Sequence, residues 1–339
     1  MKLINTTDAV GHVLCHDLTQ IIPGVTKDAF FRKGHIVQEE DIPVLLSIGK
    51  EHLYVWEKDE NMYHEDEAAA VLRDISINEH MRATEPKEGK IELIAECDGL
   101  FTIDEERLIA VNSLGEMMIA TRHGNFPVKK GDKLAGMRVI PLVIEKEKME
   151  KAKETAGDTP LFALHPYYHK KVGIVTTGSE VFLGRIQDKF GPAIRAKLAE
   201  YDTEVIGQTI LGDDPEKITA EIESYIAKGA DMVLCTGGMS VDPDDTTPTA
   251  IKNTGAEIIS YGAPVLPGAM FLLAYTKAGI PIMGLPGCVM YARRTIFDLV
   301  LPKVLADVRV EKEDLYKLGM GGLCLNCETC VWPNCGFGK

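Results

Sequence analysis

The chain has 339 residues, enough for two or three domains with a sizeable core, and its 45% hydrophobic and 26% charged residues are ordinary for a soluble globular protein. A formal net charge of -14 argues against nucleic acid as a partner, because phosphodiester binding takes an excess of Lys and Arg, although a small anionic ligand needs only a local cluster. No apolar run nears the roughly 20 residues that span a bilayer, and the N-terminus has one early basic residue and no apolar leader, so a cytoplasmic protein with no membrane partner is expected.

Residues 1–60 carry short β-like runs at 12–15, 35–37 and 52–56, with turns at Pro23-Gly24 and Lys33-Gly34. Between them, 39–49 reads as a helix with an acidic first turn and a glycine stop. Ala69, Leu72, Ile75 and Ile77 roughly follow a helical period and predict a second helix from Glu65 to about His80. Over 90–144, runs at 91–95, 107–111, 117–120 and 137–144 alternate with glycines and read as strands of a small β module. A charged run at 145–153, followed by Gly157-Asp158 and Pro160, marks a boundary. The expected division is an α+β module at 1–88, a β module at 89–145, a linker at 146–169, an α/β domain at 170–308 and a cysteine-rich tail at 309–339.

From Lys170 strands alternate with helices. Strands are expected at 172–176, 203–211, 232–235 and 280–285, with helices at about 192–200, from Asp214-Pro215 to about Lys228, near Thr249, and from Pro286-Gly287 to about Leu305. This alternation implies parallel pairing with right-handed crossovers. The expected fold class is therefore α/β, a three-layer, doubly wound, mostly parallel sheet preceded by smaller β-rich α+β modules.

Each strand of this half ends in a polar glycine-containing loop: Thr177-Gly178-Ser179-Glu180, Gly212-Asp213-Asp214, Gly237-Gly238-Met239-Ser240 and Pro286-Gly287. Parallel strands share one direction, so the loops lie on one edge, where ligands collect and paired glycines let backbone N–H groups approach an anion. Any one of these glycines alone reads as a plain turn residue, and it is four such loops on one edge that point to a ligand crevice. Asp242, Asp244 and Asp245 offer carboxylates for a hard cation, or form a solvated acidic turn. Asp213 reads either as a site carboxylate or as a cap before the next helix, and Asp188 as a site carboxylate or the start of a helix.

The motifs Thr176-Thr177-Gly178-Ser179-Glu180, Gly184 to Asp188, Asp213, Thr236-Gly237-Gly238-Met239-Ser240, Asp245-Thr246-Thr247-Pro248, Pro267-Gly268 and Leu285-Pro286-Gly287 occur in an order and spacing that resembles the molybdopterin-binding domain. That domain is shared by molybdopterin adenylyltransferases, molybdenum insertion proteins of the MoeA type and CinA-like proteins, and the resemblance covers 170–306. It implies that Thr177, Gly178, Ser179, Glu180, Gly237, Gly238, Ser240, Pro286 and Gly287 surround molybdopterin, or adenylated molybdopterin, and its phosphate. It also implies that Asp188, Asp213 and Asp245 occupy positions used for Mg²⁺ and for adenylyl or molybdate chemistry. Backbone donors for phosphate and one or two carboxylates for Mg²⁺ fit that role. Three motifs depart from the family: Cys288 and Val289 follow Leu-Pro-Gly where Asn or Gln and Pro are usual, Ala269-Met270 replaces Lys-Pro, and Asp242 replaces a Gly. Losing a cation and gaining an anion weakens oxyanion binding. Cys288 is expected at a helix start, where N–H groups lower a thiol pKa and could present it to a dithiolene or soft metal; a buried structural cysteine is the alternative. Arg293 and Arg294 read as surface arginines.

Cys324, Cys327, Cys330 and Cys335 fall in one short tail with Cys-x2-Cys-x2-Cys-x4-Cys spacing. Such density suits a thiolate site for Zn²⁺ or a [4Fe–4S] cluster; a disordered redox-active tail or a pair of disulfides are the alternatives. The resemblance implies a protein of molybdenum or tungsten cofactor maturation or delivery, acting on a small pterin or nucleotide, self-associating, and meeting a molybdo- or tungstoenzyme. Its alternatives are a non-catalytic carrier or sensor and a CinA-like nucleotide pyrophosphatase.

Overall fold

The computed structural model describes residues 2–22, 26–55, 60–240, 242 and 245–339; the turn at Pro23-Gly24, Trp56 and Asp244 lie outside the described residues. Two compact units emerge. One takes the chain as far as Glu96 together with Ile103–Arg122 and Gly131–Ala163, and the other takes Cys97–Thr102, His123–Lys130 and Leu164–Lys339.

In the first unit, β1 (Lys2–Asn5), β2 (Leu18–Ile22), β3 (Thr26–Phe31), α1 (Asp41–Ser47) and β4 (His52–Val55) form two antiparallel pairs, β1 with β4 and β2 with β3. Leu14, Val37, Leu45 and Leu53 form their small core. The runs at 12–15 and 35–37 make only single bridges, Val13 to Ile36 and Leu14 to Val55, rather than strands. The next elements in chain order are β5 (Met62–His64), α2 (Glu65–Asp74), β6 (Met81–Ala83), β7 (Ile91–Ala95), β8 (Gly99–Ile103), α3 (Glu105–Asn112), β9 (Met117–Thr121), β10 (Phe126–Val128), β11 (Lys133–Val139), β12 (Val143–Glu145) and α4 (Lys146–Ala156), of which β10 and nearly all of β8 belong to the second unit. A four-stranded sheet runs in the order β6-β7-β11-β9, and β12 pairs with β5. The run at 107–111, expected as a strand, lies instead in α3. Asp104 caps that helix by accepting from the Arg107 amide at 3.0 Å, so a charged cap at its start outweighs the β propensity of Ile109 and Val111. The charged run at 145–153 is α4, which buries Met149, Ala152 and Ala156.

The second unit is built on a six-stranded sheet. Its elements, after β13 (Phe162–Pro166), which joins β8 and β10 in a three-stranded sheet, are β14 (Lys170–Thr177), α5 (Ser179–Phe182), α6 (Phe190–Leu198), β15 (Thr203–Leu211), α7 (Pro215–Ala227), β16 (Met232–Thr236), α8 (Thr247–Asn253), β17 (Glu257–Tyr261), β18 (Leu272–Tyr275), β19 (Pro281–Leu285), α9 (Ile296–Leu305) and α10 (Lys312–Lys317). The strand order is β15-β14-β16-β19-β18-β17; the first four are parallel, and β18 runs antiparallel to both neighbours. Every residue of β16 and β19 is buried, as apolar central strands between two helical layers must be. Val172, Leu234 and Leu285 pack on one face with Phe297 and Leu301 of α9. Val175, Val233 and Cys235 pack on the other with Ile218 and Ile222 of α7. The expected doubly wound, mostly parallel domain is present.

Asp214 caps α7, accepting from the Glu216 and Lys217 amides at 3.1 and 3.2 Å. The single helix expected from Pro286 to Leu305 is broken. A 3-10 turn covers Gly287–Met290, and α9 starts afresh at a capping box in which the Thr295 hydroxyl accepts from the Phe297 amide at 3.2 Å and Asp298 accepts from the Thr295 amide at 2.7 Å. No helix among the described residues is long and apolar enough to cross a membrane.

Candidate functional site: a crevice at the carboxyl edge of the sheet

Parallel strands deliver the loops after β14, β15, β16 and β19 to one edge of the sheet. Because β18 runs the other way and pairs Leu272 with Gly284, the loop that precedes it comes to the same edge. A cavity of about 610 Å³ opens there, lined by Gly237, Gly238, Ser240, Asp242 and Asp245, by 266–270, and by Pro286, Gly287 and Cys288.

The Gly-Gly loop is strained in a way only glycine tolerates. Gly237 and Gly238 have φ of 84° and 53°, and a Cβ on Gly237 would fall on the Thr177 carbonyl oxygen. Two side chains hold the loop. The Thr247 hydroxyl donates to the Gly237 carbonyl at 2.8 Å, which leaves it to accept from Thr177 at 3.0 Å. The Tyr261 hydroxyl reaches the Met239 and Ser240 carbonyls at 3.0 and 3.2 Å. Asp245 closes a local turn: its Oδ2 accepts from the Asp242 amide at 3.0 Å while its own amide donates to the Asp242 carbonyl at 2.9 Å.

Thr177, Gly178, Ser179, Glu180, Asp188 and Asp213 do not line this cavity. They form an adjoining group toward β15, tied to the crevice through the Thr177–Thr247 hydrogen bond. The Asp213 carboxylate accepts from the Ser179 amide at 2.9 Å and hydroxyl at 2.7 Å, so it clamps the β14 loop while its neighbour Asp214 caps α7. Asp188 caps α6, accepting from the Phe190 amide at 2.8 Å and from Gln208 at 2.7 Å; Gln208 also donates to Thr176 at 3.0 Å. Among the described residues no three His, Cys, Asp or Glu side chains are placed to hold one metal ion, so the three predicted carboxylates do not converge.

Cys288 corrects its expectation. It sits in the 3-10 turn rather than at an α-helix start, and burial pushes its thiol up against the weaker pull of its own backbone N–H and of Lys197. Arg293 is exposed, as expected of a surface arginine, whereas Arg294 is half-buried. Arg294 stacks over Trp332, 4.5 Å from the ring centre, and bridges Glu200 at 2.8 Å and the buried Asp298 at 3.0 Å. Asp298 also pairs with buried Lys197 at 2.8 Å. Arg293 donates to the carbonyls of Cys327 and Glu328 at 3.3 and 2.6 Å.

The tail cysteines are all free thiols; Cys324 and Cys335 are half-buried, and Cys327 and Cys330 exposed. They are not drawn into a tetrahedron around one ion, as a zinc site would require, but all four line a second cavity of about 530 Å³ together with Arg293, Arg294 and Trp332.

Residues 173–306 match the family model described as a probable molybdopterin binding domain. Residues 173–306 are a domain of the molybdopterin-binding family. Residues 3–57 match a second family, described as a domain of unknown function. A CinA-like protein of Mycobacterium sp. (strain MCS) is 40% identical over 90 residues, covering 26% of this chain and 21% of that protein. A CinA-like protein of Mycobacterium tuberculosis (strain H37Rv) is 37% identical over the same length. The chain thus spans about a fifth of the length of these relatives. Among solved structures, the molybdopterin biosynthesis enzyme MoaB of Thermus thermophilus aligns at 26% identity and a TM-score of 0.34, covering 40% of this chain and 91% of that one. The tungsten cofactor synthesizing protein MoaB of Pyrococcus furiosus aligns at 20% identity and 0.35, covering 42% and 98%.

Proposed function

We propose that the chain binds molybdopterin or its adenylated form in the crevice and serves the maturation or delivery of a molybdenum or tungsten cofactor. The observation that carries this reading is the left-handed Gly237-Gly238 turn at the strand ends, which lines the cavity with backbone free of Cβ atoms, so that a pterin phosphate could approach its amides closely. Among the described residues the lining holds Asp242 and Asp245 and no Lys or Arg. A phosphate dianion beside two carboxylates needs a counter-cation, so Mg²⁺ on Asp245 completes the reading. The Ser179–Asp213 pair belongs to the adjoining end, where an adenylyl group would extend.

Titration of molybdopterin by calorimetry tests this. Affinity is expected to fall about tenfold to a hundredfold without Mg²⁺ and equally in Asp245→Asn, in line with loss of one charge-assisted contact of about 1.5–3 kcal/mol. Equal affinity with and without Mg²⁺ would remove the metal, and no saturable binding would remove the function. A non-catalytic carrier is the second reading. Asp188, Asp213 and Asp245 each accept hydrogen bonds from their own scaffold and do not gather on one point, which favours holding over turnover. Turnover of the adenylated pterin would decide for an enzyme, and hydrolysis of ADP-ribose for a nucleotide pyrophosphatase.

A further inference from the structure

We propose that the four tail cysteines hold a [4Fe–4S] cluster in the cavity that they line. The proposal stands apart from the pterin reading. Zinc binds four thiolates at about 2.3 Å each, which forces the sulfurs together on one point. Here four free cysteines line one cavity of about 530 Å³ without converging on one point, and a cubane takes one thiolate at each of four separated irons. The two successive Cys-x2-Cys steps are those by which a chain wraps a cubane, each cysteine binding one iron as thiolate and releasing its proton to solvent.

The cavity is prepared for such a guest. Four thiolates around a cluster leave a net negative charge, and Arg293 and Arg294 line the same cavity. The Trp332 ring lines the same cavity and, with Arg294 stacked over it at 4.5 Å, walls one side of it from water. The frame is fixed before any metal enters. The Leu266 amide donates to the Gly322 carbonyl and the Cys324 amide to the Leu266 carbonyl, both at 2.8 Å, and Phe337 is buried in the core of the sheet domain.

The test is anaerobic reconstitution of the full chain with ferrous iron, an oxidant and sulfide, followed by iron and acid-labile sulfide analysis. About four of each per chain are expected, with a broad visible absorption bleached by dithionite. A single zinc or iron without labile sulfide, or four freely titratable thiols after reconstitution, overturns the proposal. Cys330→Ser, at an exposed position whose loss spares the core, is expected to lower bound iron about threefold or more, and Cys97→Ser to leave it unchanged. If circular dichroism finds Cys330→Ser unfolded, Cys327→Ser takes its place; full iron and sulfide in a folded variant of either overturns the proposal.

Discussion

The crevice and the tail cavity are similar in size and opposite in construction. The crevice, about 610 Å³, is walled by segments scattered from Phe190 to Tyr291 and rooted in strands buried from end to end. The tail cavity, about 530 Å³, takes all its cysteines from twelve consecutive residues with no helix or strand among them. One is acidic and offers backbone donors, and the other is ringed by thiols and arginines. A site set by topology is formed as soon as the sheet folds. A site set by one short segment depends on a few anchors, and releasing any of them loosens the whole wall.

Breaking the first kind should cost most. In Gly237→Ala the new Cβ meets the Thr177 carbonyl at a φ of 84°, and a stability loss of about 3 kcal/mol is expected in urea unfolding, with pterin binding lost. A loss below about 1 kcal/mol would mean that the loop adapts, and the contrast with the tail would disappear. Arg294→Ala removes the stack on Trp332 and one of the two cations on buried Asp298, while Lys197 remains. About 2 kcal/mol and faster proteolysis within 324–335 are expected; tail cleavage at the wild-type rate would show that Arg294 is no anchor. The smallest effect is a titration. Because burial raises the Cys288 thiol, its alkylation, followed by mass mapping of its peptide, should rise only above the ordinary thiol midpoint of about 8.5. A midpoint below that value would restore the helix-start reading.

The parallel half of the sheet was legible because fully buried strands appear as uninterrupted apolar runs, such as 232–235 and 280–285. The antiparallel edge was not. The segment holding β17 and β18 is broken by Gly262, Pro264, Pro267 and Gly268, and its reversal is decided by pairing with β19. The site divided along the same line. Gly237, Gly238, Ser240, Asp245 and Cys288 were readable from loop chemistry and do meet at one cavity. Asp213 and Asp214 are adjacent carboxylates with exchangeable sequence roles, and only the position of the β14 loop assigns the clamp to one and the cap to the other. Thr247 lies within a motif that drew attention to its neighbour Asp245, whereas nothing local marks Tyr261, whose hydroxyl reaches back to Met239 and Ser240. Arg294 could have been paired with Asp298 one helical turn on, but its stack on Trp332 is a long-range contact that no period encodes.

Leu266 gives the two cavities a common hinge pin. Its amide and carbonyl are both bonded to the tail, the next residue, Pro267, faces both cavities, and so does Tyr291. An occupant of one cavity that displaced this residue would change a wall of the other, and any coupling that resulted would be equal in both directions by thermodynamic reciprocity. The rim of the crevice and the cysteine tail would then read each other's occupancy through two backbone hydrogen bonds.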